Sequence, residues 1–192
     1  MKELKEIKTK IKTGDEKLIF KDKKLNYSIL DFWRWSNSNI LSNATRGKFA
    51  EFIVASALEI NLQNSNDEWS AYDLETDNGI KIEVKTSAYI QSWSQKNFSR
   101  PTFSIKPAKY WSSKNGMTKS YKRHSDFYVF CLLKEKDQEK IDPLNLDQWE
   151  FYVVKTKILN KKFSNQKTIS LGKIKKISNA LLYNELSEKI YN

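Results

Sequence analysis

The chain has 192 residues, 39% hydrophobic and 30% charged, a balance that excludes a disordered polymer and is enough for one domain with a real core. Its formal charge of +11 suits a polyanionic partner, although the excess is almost all Lys in an Asn- and Ile-rich chain, as AT-rich coding alone would give. A single His and a single Cys exclude a zinc cluster, a disulfide framework, a His-metal finger nuclease and, with no nucleophile motif, a Ser-His-Asp hydrolase.

In chain order, residues 1–26 are Lys-rich and weakly periodic: a helix, an arm or a basic lead-in to a single domain spanning 1–192. The charged N-terminus lacks an apolar signal region and no run nears the roughly 20 apolar residues of a membrane helix, so a cytoplasmic location is expected. Residues 28–39 are amphipathic through Ile29, Phe32, Trp33 and Trp35. Residues 45–60 read as a strong helix, with Phe49, Phe52, Ile53, Ala57 and Ile60 at spacings of three and four and Asn43 or Thr45 as cap. The period then changes to two. Residues 69–76 and 80–93 read as strands joined by Asp77-Asn78-Gly79, a hairpin signal. Residues 102–105, 127–133 and 151–155 give further strands, and 173–190 a closing helix that buries Leu181, Leu182 and Leu186. This order argues an α/β domain around a central mixed sheet flanked by helices.

Chemistry concentrates on the hairpin. In Ile80-Lys81-Ile82-Glu83-Val84-Lys85 the aliphatic residues point one way and Lys81, Glu83 and Lys85 the other. If the strand runs on unbroken, Ser87, Tyr89, Gln91 and Trp93 continue the polar face. A three-residue loop pairs Thr76 with Ile80 and sets Asp73 opposite Glu83. Two opposed carboxylates repel unless compensated, and a bound Mg²⁺ would compensate them. A solvated hairpin with ordinary surface ion pairs is the bland alternative. Glu51, on the preceding helix between its polar side and a second apolar stripe, is a third acid; taken alone it reads as paired with Arg46 or Lys48. Lys109, Lys122 and Arg123, among Tyr110, Trp111 and Tyr121, suit a nucleic-acid groove about as well as a solvated loop. His124 reads as part of a basic surface stretch, and Asp126 as a strand-end residue.

These residues resemble a known family. Asp73, nine residues, then Glu83-Val84-Lys85, preceded by a helix bearing Glu51, is similar to the PD-(D/E)XK phosphodiesterase superfamily. The strings Arg46-Gly47-Lys48-Phe49-Ala50-Glu51, Trp69-Ser70-Ala71-Tyr72-Asp73 and residues 82–93 resemble a stand-alone bacterial branch of it with no assigned activity; the likeness covers about residues 45–155. Tyr72 stands where the motif has Pro. The resemblance implies a restriction-endonuclease-like fold and hydrolysis of DNA phosphodiester bonds with Mg²⁺, or Mn²⁺ as substitute. Asp73, Glu83 and the Val84 carbonyl would ligate the metal, Lys85 would position the attacking water and stabilise charge on phosphorus, and Glu51 would support a second metal or its water. Arg46, Thr86, Ser87 and Gln91 would contact nucleic acid. Duplex cutting at paired sites would imply a homodimer, although nothing in the sequence shows a dimer surface, and the role would lie in restriction, defence or repair, with any protein partner unknown. A non-catalytic nucleic-acid-binding module keeping the fold is the competing reading.

Overall fold

The computed structural model describes Ile7 and residues 9–62, 70–112 and 116–192. The chain opens with a hairpin, β1 (Lys17–Phe20) and β2 (Lys23–Ser28), then α1 (Ile29–Asn37) and α2 (Asn43–Ala57). Next come β3 (Leu74–Glu75), β4 (Lys81–Ala88), β5 (Thr102–Ser104) and a small hairpin of β6 (Trp111–Ser112) and β7 (Gly116–Met117). β8 (Phe127–Leu133), β9 (Trp149–Lys155), α3 (Thr156–Lys162), β10 (Thr168–Ser170), α4 (Leu171–Ile174) and α5 (Leu186–Tyr191) complete it.

The central sheet has the order β3-β4-β8-β9. β3/β4 and β8/β9 are antiparallel and β4/β8 is parallel, in a register of Ile82 with Phe127 through Ala88 with Leu133. It is the expected mixed α/β arrangement. Alternation gives the sheet two faces. Ile82, Val84 and Ala88 join Val129, Cys131, Trp149 and Phe151 beneath Ala50, Ile53 and Val54 of α2 and Leu186 and Ile190 of α5. Tyr128, Phe130, Leu132, Tyr152 and Val154 face the other way, covered by Leu159 of α3, Ile174 of α4, and Phe103 and Ile169 of the antiparallel pair β5/β10. Among the described residues no helix is long and apolar enough to cross a membrane.

Several boundaries move. Ser42, not Asn43 or Thr45, caps α2, its side chain accepting from Thr45 N–H. β4 ends at Ala88, because the Gln91 side chain donates to the Ala88 carbonyl and the Gln91 N–H to Gln95. Those amide bonds replace the ladder, so Tyr89, Gln91 and Trp93 do not extend the polar face. The expected helix over 173–190 is broken: the Ser178 hydroxyl donates to the Val153 carbonyl, Leu181 bridges to Phe151, and helix resumes only at Leu186. Leu182 is exposed rather than buried. The lead-in proves to be a hairpin from Lys17 onward, turned through Lys21 and Asp22, both in the left-handed region. The expected start of β3 at Trp69 lies outside the described residues.

Candidate active site

The site forms where β3 gives out. Asp77-Asn78-Gly79 reverses the chain with Gly79 at φ +77°, and the Gly79 N–H donates to the Thr76 carbonyl at 2.8 Å. Leu74 then pairs with Ile82, Thr76 N–H reaches the Ile80 carbonyl, and Asp73 N–H donates to the Ile82 carbonyl at 3.0 Å. Asp73 therefore sits opposite Glu83, in the register expected from the loop length. β3 carries ladder pairing only from Leu74, so the Asp73 carboxylate itself takes the next donor: Oδ2 accepts from Val84 N–H at 2.7 Å. The N–H and C=O of one strand residue point to the same side, so the Val84 carbonyl faces this edge as well.

Lys85 completes the group. Its Nζ lies 2.7 Å from Glu83 Oε1 and 3.3 Å from Asp73 Oδ2. The three side chains are only 21–28% exposed, in a setting where charges interact more strongly than on open surface. Burial, then the charge of Asp73, raises the Glu83 carboxyl above its ordinary range against the pull of Lys85, and Glu51 adds a smaller push the same way. Burial works against the Lys85 ammonium, but Asp73 and Glu83 outweigh it and hold it above the usual lysine value. Glu51 comes from α2, with Oε2 3.1 Å from Lys48 Nζ and a side chain 13% exposed. Among the described residues, Lys48 rather than Arg46 is the cation seen paired with it.

A family model described as bacteriophage T4 endonuclease IV matches residues 2–173, most of the chain. The chain belongs to this endonuclease family. No curated protein matches it.

As a member of that family, the chain places its other candidate residues unevenly. Ser87 shares the Glu83 face and is half-buried. Lys109 and Lys122 are exposed, the Lys109 ammonium lying 5.2 Å over the Tyr121 ring. Arg46 and Arg123 are corrections. Arg46 is 3% exposed and donates to the Leu41 carbonyl, Gln91 Oε1 and Asn43 Oδ1. Arg123 is 7% exposed and donates to the carbonyls of Ile105, Phe163 and Gln166 and to Asn160. Both guanidiniums bind the protein's own oxygens and are not presented to DNA; a basic stretch looks the same in sequence whether its Arg points out or in. Gln91 is likewise occupied, holding Arg46 and the Ala88 carbonyl. Thr86 turns to the α2 face, where its buried Oγ1 has no hydrogen-bond partner among the described residues. Asp126 is a strand-end clasp, accepting from Lys81 N–H at 2.9 Å while its own N–H donates to the Lys81 carbonyl.

Tyr128 is the residue that sequence reasoning missed. It sits beside Glu83 in the parallel register and is 3% exposed. Burial, then the Glu83 charge, pushes its phenol up, with Asp73 acting the same way. The only signal was one hydroxyl inside the apolar run of residues 127–133.

The donor set suits a hard cation. Two opposed carboxylates and a backbone carbonyl are all-oxygen ligands, and Mg²⁺ commonly takes one or two carboxylates with water or phosphate filling the rest. Among the described residues, no three His, Cys, Asp or Glu side chains converge on one point, so the fit is to a shared Asp73/Glu83 site rather than a closed side-chain cage.

Proposed function

We propose that this chain is a divalent-metal-dependent endonuclease that hydrolyses phosphodiester bonds in DNA, with a PD-(D/E)XK-type centre on a restriction-endonuclease-like core. The observation that carries the reading is Lys85 Nζ within 3.3 Å of both Asp73 and Glu83, two carboxylates brought face to face by the hairpin. Membership of an endonuclease family supports the reaction class, and the charge of +11 supports a nucleic-acid substrate.

Asp73, Glu83 and the Val84 carbonyl would hold Mg²⁺, with Mn²⁺ as substitute, and Glu51 would support a second metal or orient a water. Bound there, the cation would supply Lewis-acid stabilisation of the phosphate and lower the pKa of a water. The protein's own groups do the rest. The Lys85 ammonium sits beside the carboxylates, where it stabilises negative charge developing on the phosphate oxygens and orients the attacking water. Raised affinity of Glu83 for protons means that the carboxylate pair is fully charged, and fit to hold a cation, only above the ordinary carboxylate range. Tyr128, buried and paired with Glu83 in the parallel register, would help to fix that strand position.

The test is cleavage of plasmid and linear DNA with Mg²⁺ or Mn²⁺, comparing wild type with Lys85→Ala and Glu83→Ala. Metal-dependent cutting lost in both variants is the expected result. Cutting that survives both substitutions would place the chemistry elsewhere.

A further inference from the structure

Away from the hairpin site, the described residues form a cleft of about 1210 Å³ beside β9. Phe127, Val153 and Leu181 lie along it. Lys155, Lys157, Lys161 and Lys162 line it from the end of β9 and from α3, and Lys175, Lys176 and Lys189 from α4 onward. Seven of the seventeen lining residues are thus Lys, against fewer than one in six along the whole chain. Base composition alone does not gather them in one concavity.

Nor are these charges neutralised from within. Among the described residues, Lys175 alone of the seven is in an ion pair, at 3.8 Å from Glu150. The cleft contains two acids, Glu185 and Glu188, and Glu185 is engaged in accepting from Leu182 N–H. Lys161 and Lys162, in the last turn of α3, also face its C-terminal dipole, but that accounts for two of the seven. Interfaces between protein copies are depleted in Lys, so a second copy of this chain is a poor occupant. A phosphate backbone is a good one: each Lys meets one negative charge and releases one counterion.

We propose that this cleft is a second DNA-contacting surface, which grips the sugar-phosphate backbone of the substrate away from the bond being cut. β9 lies two strands from β4, roughly 10 Å at ordinary strand spacing, so the two regions can engage one DNA molecule a few nucleotides apart. The cleft supplies affinity and orientation without reading bases, since Lys on phosphate carries no sequence information.

The inference rests on the nuclease reading, and the experiment separates them. Binding of a fluorescein-labelled DNA duplex to the full-length chain in EDTA is followed by anisotropy across a salt titration. The cleft variant Lys161→Ala/Lys162→Ala/Lys176→Ala is compared with wild type and with Lys21→Ala/Lys23→Ala/Lys24→Ala, which removes the same charge from the exposed β1/β2 hairpin. The cleft variant is expected to bind about tenfold more weakly in low salt, with its log–log salt slope reduced by about two to three, and the hairpin variant to change much less. An unchanged slope and affinity in the cleft variant overturns the proposal. So does an equal loss in the hairpin variant, which would mean diffuse charge, or a change in sedimentation with DNA affinity intact, which would assign the cleft to protein contacts. Plasmid cutting by the same proteins keeps the two ideas apart. Metal-dependent cutting abolished by Lys85→Ala, beside an unchanged slope in the cleft variant, sinks the cleft alone.

Discussion

Replacing Lys85 by Met keeps the side chain's length and removes its charge, leaving Asp73 and Glu83 facing each other. The repulsion of the two carboxylates, about 3 kcal/mol for unit charges roughly 5 Å apart at an effective dielectric of 20, is present in both proteins; what the variant loses is the ammonium 2.7 Å from Glu83 and 3.3 Å from Asp73 that offsets it. The side chains are 21% and 23% exposed, so solvent screening reduces the net loss to about 2 kcal/mol at pH 8, a fall in Tm of roughly 4–8 °C for a chain of this size. The sign with pH follows from Glu83. Its folded pKa is already raised and rises further without Lys85. A raised carboxyl contributes stability that is fully present below its unfolded value and lost as pH rises through the folded one. The gap between variant and wild type should therefore be wide at pH 8 and narrow towards pH 5. A cation taken up by Asp73 and Glu83 should close the same gap at pH 8, since saturation at 100 times Kd adds about 2.7 kcal/mol. The assay is a set of thermal melts at pH 5 and 8 with and without Mg²⁺, run beside plasmid cleavage. Lys85→Met should melt low, recover with acid or Mg²⁺, and not cut. A variant that melts like wild type under all these conditions, or cuts at the wild-type rate, refutes the reasoning.

Glu83→Gln removes one side of the same repulsion, so it should abolish cutting while leaving the Tm at pH 8 equal or slightly higher, as a thermal melt will show. Arg46→Met should cost about 2–4 kcal/mol in urea unfolding, because three internal oxygens lose their donor, whereas the salt slope of DNA binding should stay unchanged. Gly79→Ala has room for its methyl, the nearest atom being Glu75 Oε1 at 3.9 Å, but φ is +77°; the expected loss is about 1–2 kcal/mol, measurable by the same unfolding. Tyr128→Phe deletes only the hydroxyl of the residue paired with Glu83 in the parallel register and should lower the cleavage rate several-fold without shifting the Mg²⁺ concentration needed for half-maximal rate.

What could be read from the sequence was what local physics decides alone. Asp77-Asn78-Gly79 dictates a three-residue turn, and the turn dictates that Asp73 meets Glu83. The apolar run of residues 127–133 could only be a buried strand, and β8 has those bounds. What could not be read needed a choice among partners, near or distant in sequence, that only the fold makes. Nothing near Ala88 announces that Gln91 and Gln95 will cap the strand with their side-chain amides. Ser178 stops a helical pattern by bonding to Val153, 25 residues away. Arg123 became an internal staple because its oxygens are assembled only by the fold, and Arg46 because Gln91 joins its near neighbours Leu41 and Asn43. α1 kept its amphipathic pattern and its Ser28/Asp31 capping box, yet buries none of its residues, so the pattern gave the helix but not its environment.

The shortness of β3 is what makes the site. A full-length neighbour would have consumed every donor and acceptor along the edge of β4. Because pairing begins only at Leu74, the Val84 N–H is taken by the Asp73 side chain instead of a backbone carbonyl, which ties that carboxylate to the edge of β4 within reach of Lys85. An in-plane edge is also the one place that residues from both faces can approach. Glu83 and Lys85 project from the face shared with Tyr128, while Glu51 arrives on α2, which covers the opposite face. The Glu51 charge adds a small upward push on the Glu83 carboxyl. An unpaired sheet edge is ordinarily a liability for aggregation; among the described residues this one is blunted by charge, and under the proposed reading a phosphate and a cation would meet there.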